Sequence, residues 1–383
     1  MAIHFSEEQL KNKGGGEKET EKDIKYFIAK ADKFLEKISR VPLKEKLFFV
    51  QHLGLMLKAG ISLSSALKTL AKQSGNKFFV KVLNDVADRV EKGNSFADSL
   101  NVYNKVFGEL FINMIEVGES SGKLEEVLNQ LFIQMKKEHA LISKVKGALT
   151  YPTVIIFAML LIGTFMITVI VPKITSSFLE MNVELPLATK ILIKISSLLV
   201  HNGLIVAVGL VLFIIILVQV IRTKKGKSVL DTILLKTPIV GPIIKKINLA
   251  RFARNISALL KTDIMIIKTF QITANILGNV HYKNSLLDMA QKIKKGERLN
   301  EAIQTYPKLY PPIVVQMIAV GEETGELDGI LVELAEFYEE EVDAIMGNLP
   351  AIIEPLLILL LGLGVGGVAI AIIMPMYSLT DAI

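Results

Sequence analysis

Residues 117–124 read VGESSGKL, and residues 320–327 read VGEETGEL. With two glycines and a lysine, the first stretch invites comparison with a phosphate-binding loop. A Walker loop, however, places four residues between its glycine and Gly-Lys and a hydroxyl after the lysine, because backbone amides cradle phosphates while the hydroxyl holds magnesium. Here only Glu119, Ser120 and Ser121 separate Gly118 from Gly122-Lys123, Leu124 follows, and the second copy puts Glu326 in the lysine position, where it would repel phosphate. The stretch instead predicts a helix-loop-helix corner, in which Gly118 and Gly321 end one helix while Ser121 and Thr324 cap the next. The corner residues are Gly118, Glu119, Gly122 and Leu124, matched by Gly321, Glu322, Gly325 and Leu327. Glu119 and Glu322 do not follow from a corner alone. A carboxylate kept in both copies either locks the corner by accepting backbone amides or meets a partner or cation.

The offset between the two stretches is 203 residues, and it extends well beyond them. It also relates Phe49 to Phe252, Gly75-Asn76 to Gly278-Asn279, Gly93 to Gly296, Tyr103 to Tyr306, Met114 to Met317, Pro152 to Pro355 and Pro172 to Pro375. One register held over that length marks a tandem duplication, each copy being a polar domain followed by an apolar run.

The chain has 383 residues, 51% of them hydrophobic, and a mean hydropathy of +0.46, which points to membrane segments. Charge-free runs cover 147–171, about 203–221 and about 355–377, each near the ~20 apolar residues that a helix needs to cross hydrocarbon. Within the polar parts, apolar residues recur at three- and four-residue spacing and end at glycines. Six short helices per copy are expected, in the first copy near 44–58, 61–73, 77–92, 95–101, 106–117 and 121–146. The expected organisation is a charged arm over 1–40, a helical domain over 41–147, a span over 148–172, a short extracytoplasmic loop over 173–200, a return span over 201–222, a second helical domain over 223–350 and a last span over 353–377. The fold class is therefore an all-α membrane protein with two tandem cytoplasmic six-helix bundles and three transmembrane helices. Tyr151, Pro152, Pro172, Glu354, Pro355 and Pro375 mark the membrane boundaries.

Basic residues set the expected orientation. Lys136, Lys137, Lys144 and Lys146 precede the first span, and Arg222, Lys224, Lys225, Lys227, Lys236, Lys245, Lys246 and Arg251 follow the second against Asp231 alone. Both flanks read as cytoplasmic under the positive-inside rule, so the basic pI reflects topology and no nucleic-acid surface is needed. Anionic lipid is a further candidate for the same basic flank. The N-terminus lacks the apolar run of a cleavable signal peptide and is expected in the cytoplasm; no Lys or Arg follows Lys308, so the C-terminus is placed outside by repeat parity.

Chemistry-bearing constellations are sparse. There is no cysteine, and His4, His52, His139, His201 and His281 are scattered without zinc spacing, so no metal, cofactor or catalytic residue is assigned. Gly362 and Gly366 form a GxxxG in the third run, suited to close helix packing, although glycine is common in membrane helices. Glu354 is either a buried partner group or an interfacial carboxylate in water. Lys136-Lys137 corresponds by repeat to Glu339-Glu340. These unlike faces are either solvated helix charge or a means for the two domains to pair with fixed polarity, within one chain or between neighbours.

Taken in order, VPLKEKLFFVQHLGLMLKAGISLSSALKTL (41–70), VGESSGKLEEVL (117–128), ALTYP (148–152), VELPLATK (183–190), KTPIVGPIIKKINLARFARNISALL (236–260), GEETGEL (321–327), IIEPLLI (352–358) and IIMP (372–375) resemble the inner-membrane platform proteins of type II secretion systems and type IV pili, the GspF/PilC family. The resemblance implies two six-helix domains, three spans, self-association, and contact with a hexameric assembly ATPase, with pilins or pseudopilins and with other inner-membrane assembly proteins. It implies a non-enzymatic adaptor that couples the ATPase to subunit polymerisation. The arm over 1–40, with Gly14-Gly15-Gly16 and a solvated helix expected over Asp23–Ser39, departs from the family's usual amino-terminal segment. A solute transporter or a membrane-bound sensor are the alternatives, the former disfavoured by spans without charged or interrupted centres.

Overall fold

The computed structural model describes residues 41–174 and 186–380, with side chains of the last helix described through Met374. The arm over 1–40 and its expected helix lie outside the described residues. Every regular element among the described residues is helical. The chain divides into two compact units between Met135 and Lys136.

The first unit contains α1 (Leu43–Lys58), α2 (Leu63–Gln73), α3 (Lys77–Glu91), α4 (Phe96–Asn101), α5 (Asn104–Phe107), α6 (Glu109–Ser120) and the start of α7 (Leu124–Phe165). Helix α3 illustrates why these segments are helical: Phe79, Val82, Leu83 and Val86, at three- and four-residue steps, are all buried, and the Asn76 side chain accepts the Phe79 N–H at its start. The core gathers around Phe49, Phe79 and Phe107, with ring centroids 5.5 to 6.1 Å apart. Helix α5 is one turn more than the sequence pattern predicts.

The second unit holds the rest of α7, a π-helical turn (Met166–Ile170), α8 (Leu187–His201), α9 (Gly203–Arg222), α10 (Lys224–Lys236), α11 (Val240–Leu260), α12 (Ile266–Ile276), α13 (Val280–Lys294), α14 (Leu299–Gln304), α15 (Pro312–Thr324) and α16 (Leu327–Thr380). The duplication is visible to the residue: α2, α3, α4 and α7 begin at positions that the repeat offset carries onto the starts of α12, α13, α14 and α16. The aromatic cluster recurs as Phe252, Tyr282 and Tyr310, whose added hydroxyls are satisfied by the Leu309 carbonyl and by Ser285. At the position of Gly60, which has φ 78°, the second copy carries Asp263 at φ 60°, one of the few side chains that tolerate the left-handed region.

Two features differ from the sequence reading. First, neither α7 nor α16 breaks where its polar part meets its apolar run. Helix α7 runs through Pro152 and, by way of the π turn, reaches Ile174, while α16 runs 54 residues through Pro355, about 80 Å of continuous helix. A proline in a helix interior forfeits one backbone bond, whereas ending the helix would leave several carbonyls and amides unpaired at the edge of hydrocarbon. Second, the stretch over 173–200 is not simply a loop. It carries α8, entered through Pro186, with Thr189 and Ser196 turned inward and Leu187, Ile191 and Leu198 exposed. Among the described residues three helices are long and apolar enough to cross a membrane, and their apolar windows are almost wholly uncovered by protein.

Candidate functional site

The repeated corner is built differently from its expected form. Helix α6 does not end at Gly118; it runs two residues on to Ser120, and α15 runs past Gly321 to Thr324. The chain reverses at Gly122 and Gly325, with φ 71° and 77°. Gly118 and Gly321 are needed for close approach: a Cβ at Gly118 would lie 2.8 Å from Val127 Cγ2, and one at Gly321 would lie 3.0 Å from Leu327 Cα. Ser121 does not cap the following helix, because its hydroxyl donates back to the Val117 carbonyl at 2.7 Å. Thr324 donates to the Val320 carbonyl at 2.9 Å and also accepts the N–H of Glu326, just before the following helix, at 3.4 Å. The Val117 carbonyl already accepts the Ser121 N–H at 3.0 Å, so the Ser121 hydroxyl adds a second bond back onto its own helix, a pattern common to serine and threonine at helix ends.

Glu119 accepts the backbone N–H groups of Phe96 at 2.6 Å and Ala97 at 2.9 Å. Glu322 accepts those of Leu299 at 2.9 Å and Asn300 at 3.0 Å. The carboxylates therefore cap α4 and α14, helices that begin more than twenty residues earlier in the chain, rather than the corner's own turn. A carboxylate at a helix N-terminus is favoured both by the unpaired amides and by the helix dipole. A second repeated bond joins the same layers: Tyr103 donates to Asp85 at 2.8 Å, and Tyr306 to Asp288 at 2.7 Å. Burial, reinforced by that bond, raises both phenols to about 12. Arg89 and then Tyr103 hold Asp85 below the usual carboxylate range, as Tyr306 and then Lys292 hold Asp288.

Of the unlike charges on the last polar helices, the structure brings Lys137 and Glu339 together at 3.4 Å. Lys136 and Glu340 are exposed and are not joined to each other. Around that pair lies a network. Arg254 engages Glu339 through two parallel bonds of 2.8 and 2.9 Å, Arg251 binds Glu138 at 2.7 Å, and Lys144–Asp343 and Lys246–Glu341 are also paired. Beneath it Leu141, Val342, Met346 and Leu349 form an apolar seam with Val145, Ile243 and Ile247. Burial raises the Glu138 carboxyl, and Arg251 opposes that shift. Arg254 and Glu138 are not singled out from sequence, and Arg251 reads there only as basic flank; the three-residue spacing of the arginines, placing both on one helix face, is the available signal.

In the apolar region, Ser196 donates to the Ile167 carbonyl at 2.6 Å, using an acceptor exposed by the π turn, and Thr189 donates to the Ala371 carbonyl at 2.5 Å. These bonds tie α8 to α16 and to the turn after α7. Gly362 and Gly366 face open space, with no atom within 4 Å of a Cβ built on either. Tyr151 and Glu354 are exposed; Glu354 borders a shallow apolar groove with Ala351, Pro355 and Ile358. Pro172 and Pro375 lie in helical backbone. Among the described residues no three His, Asp or Glu side chains converge as metal ligands would.

Residues 49–172 and 252–375 both match the family described as type II secretion system (T2SS), protein F, so the two matched blocks are one repeat offset apart. The chain belongs to that family. The protein F relatives include the type IV pilus assembly protein PilC of Thermus thermophilus, 35% identical over 341 residues that cover 88% of this chain and 83% of the relative. The PilC of Myxococcus xanthus is 34% identical over 340 residues, covering 89% and 81%. The type II secretion system protein F of Vibrio cholerae is 31% identical over 332 residues, covering 86% and 81%. Each protein F block begins at the core phenylalanine, Phe49 or Phe252, and ends at the proline of the apolar run, Pro172 or Pro375. Glu119 and Glu322 thus sit at one position of a duplicated unit.

Proposed function

We propose that this chain is the non-enzymatic inner-membrane platform of a type IV pilus or type II secretion machine, coupling a cytoplasmic assembly ATPase to the polymerisation of pilins or pseudopilins. The observation that carries the reading is the continuity of α7 and α16. Each leaves a polar helical domain and enters the apolar region as one helix, so a displacement imposed on the domain is transmitted along a stiff rod to the span. The relatives' names, which speak of pilus assembly and type II secretion, support the setting. The working topology has the N-terminus and both polar domains in the cytoplasm and the C-terminus outside, with α9 as the return stroke. The basic residues before the first span and after α9 support it. In this reading Lys136, Glu340 and the open Gly362–Gly366 face are available to other subunits or other copies.

Cross-linking in native membranes followed by affinity capture tests the proposal. Recovery of a hexameric ATPase and of pilin-like subunits is the expected result. Their absence, with a signalling partner in their place, would overturn it in favour of a sensor. The chain has no cysteine, so single introduced cysteines at exposed positions of each polar domain report the topology by their labelling from either side.

A further inference from the structure

Helix α10 follows the second apolar helix after a single residue, Thr223, whose hydroxyl accepts the Gly226 N–H at 3.1 Å. The turn is tight: a Cβ on Gly226 would lie 2.0 Å from the Val220 carbonyl oxygen, and at the far end one on Gly241 would lie 2.4 Å from the Leu235 carbonyl oxygen. Both ends of α10 are thus held at fixed angles. One side of the helix is docked on the second domain. Asp231 accepts the Val280 N–H at 2.8 Å, Thr232 Oγ1 and His281 Nε2 are 2.8 Å apart, and Leu235 packs against the core.

An adjoining face is uncovered. Lys225, Val229, Ile233 and Lys236 fall at steps of four, four and three residues, which places them on one face of a helix. Val229 and Ile233 are each 58% exposed, and Ile239 and Val240 continue the apolar surface at the start of α11. Arg222 and Lys224 flank it. Asp231, the only acid between Arg222 and Arg251, is engaged on the docked side, so the exposed face is apolar with an unbroken positive rim.

We infer that the exposed face of α10 is a membrane-surface anchor that lies in the headgroup layer and takes anionic phospholipid. The inference rests on α9 crossing the bilayer, because a helix joined to its end by one residue starts at the boundary itself. Val229 and Ile233 enter the junction of headgroup and acyl chain, and Lys225 and Lys236 meet lipid phosphates within a Debye length. The lipid surface is chosen over a soluble partner by that continuity and by the sign of the charge. The anchor sets the angle between the second domain and the membrane.

The test uses the full-length chain in vesicles of phosphatidylcholine with or without phosphatidylglycerol. Since the protein lacks cysteine, Val229→Cys, Ile233→Cys and, as a control on the distant exposed turn after α13, Glu297→Cys each carry one environment-sensitive fluorophore. The expected result is blue-shifted emission at 229 and 233, quenching by lipids brominated near the headgroup, and loss of iodide access, with none of these at 297. Adding Lys225→Glu and Lys236→Glu to the labelled chains removes the dependence on phosphatidylglycerol. Labels at 229 and 233 that stay open to iodide would overturn the inference. Shielding from iodide without lipid quenching would overturn it too, by showing a protein interface. Lipid quenching indifferent to phosphatidylglycerol would refute the anionic selectivity.

Discussion

The Glu119 carboxylate accepts the Phe96 backbone N–H at 2.6 Å, and one repeat later Glu322 does the same for Leu299 at 2.9 Å. The two caps are not equally backed. Ser95 also caps α4 through the Asp98 N–H, whereas Arg298, at the start of α14, contributes no side-chain cap. Glu119→Ala and Glu322→Ala should each destabilise by about 1–2 kcal/mol, with Glu322→Ala the larger. Amide hydrogen exchange reads this locally. Faster exchange at 299 and 300 in Glu322→Ala than at 96 and 97 in Glu119→Ala is the expected outcome, and the reverse order would contradict it.

Gly118→Ala and Gly321→Ala should behave differently despite their shared place in the repeat. The methyl at 118 would lie 2.8 Å from Val127 Cγ2 and 2.9 Å from Val127 Cβ, both side-chain atoms, while the methyl at 321 would lie 3.0 Å from Leu327 Cα and 3.1 Å from Leu327 Cδ1. Both substitutions should cost about 1–3 kcal/mol by overpacking. A compensating Val127→Ala removes Cγ2 and leaves Cβ, so it should recover only part of the loss at 118, and Leu327→Ala, which leaves Cα in place, should recover less at 321. Thermal unfolding in detergent compares the single and double variants.

Glu339 joins Lys137 and Arg254, and its side chain is only 17% exposed. Glu339→Ala leaves a largely buried guanidinium without its two-point partner and should cost about 2–4 kcal/mol. Lys137→Ala removes a long, half-exposed contact and should cost under about 1 kcal/mol. Exchanging the charges, with Lys137→Glu and Glu339→Lys together, should not restore stability, because Arg254 then faces a lysine. A full rescue in melting experiments would show that Arg254 does not take part.

The pH response should carry two signs. Glu138 is raised by burial, so its contribution is greatest below the carboxyl's unfolded pKa and falls as pH rises through its folded value. Arg251→Ala removes the charge that opposes that shift, and its destabilisation should be larger at pH 8 than at pH 5. Asp85 and Asp288 are lowered, so their contribution is present above the unfolded value and is lost as pH falls through the folded one. Tyr306→Phe should bring the Asp288 midpoint back up toward the usual range, as carboxyl-detected titration would show.

Sequence alone determined the duplication, its register, the helical class and the three apolar runs. Each of these is written in local periodicity or in identity at a fixed offset, and neither needs a partner in space. It also marked Glu119 and Glu322 as odd, because a turn does not require a carboxylate.

Only the tertiary structure decided what those residues touch. The amides they accept lie more than twenty residues upstream, and no spacing rule reaches that far. The same holds for Arg254 with Glu339 and for Ser196 with Ile167, where packing of distant helices selects the partner. The uninterrupted passage of α7 and α16 through their prolines was likewise set by environment, since the penalty for proline is local while the penalty for ending a helix depends on whether water is there to take up the freed groups.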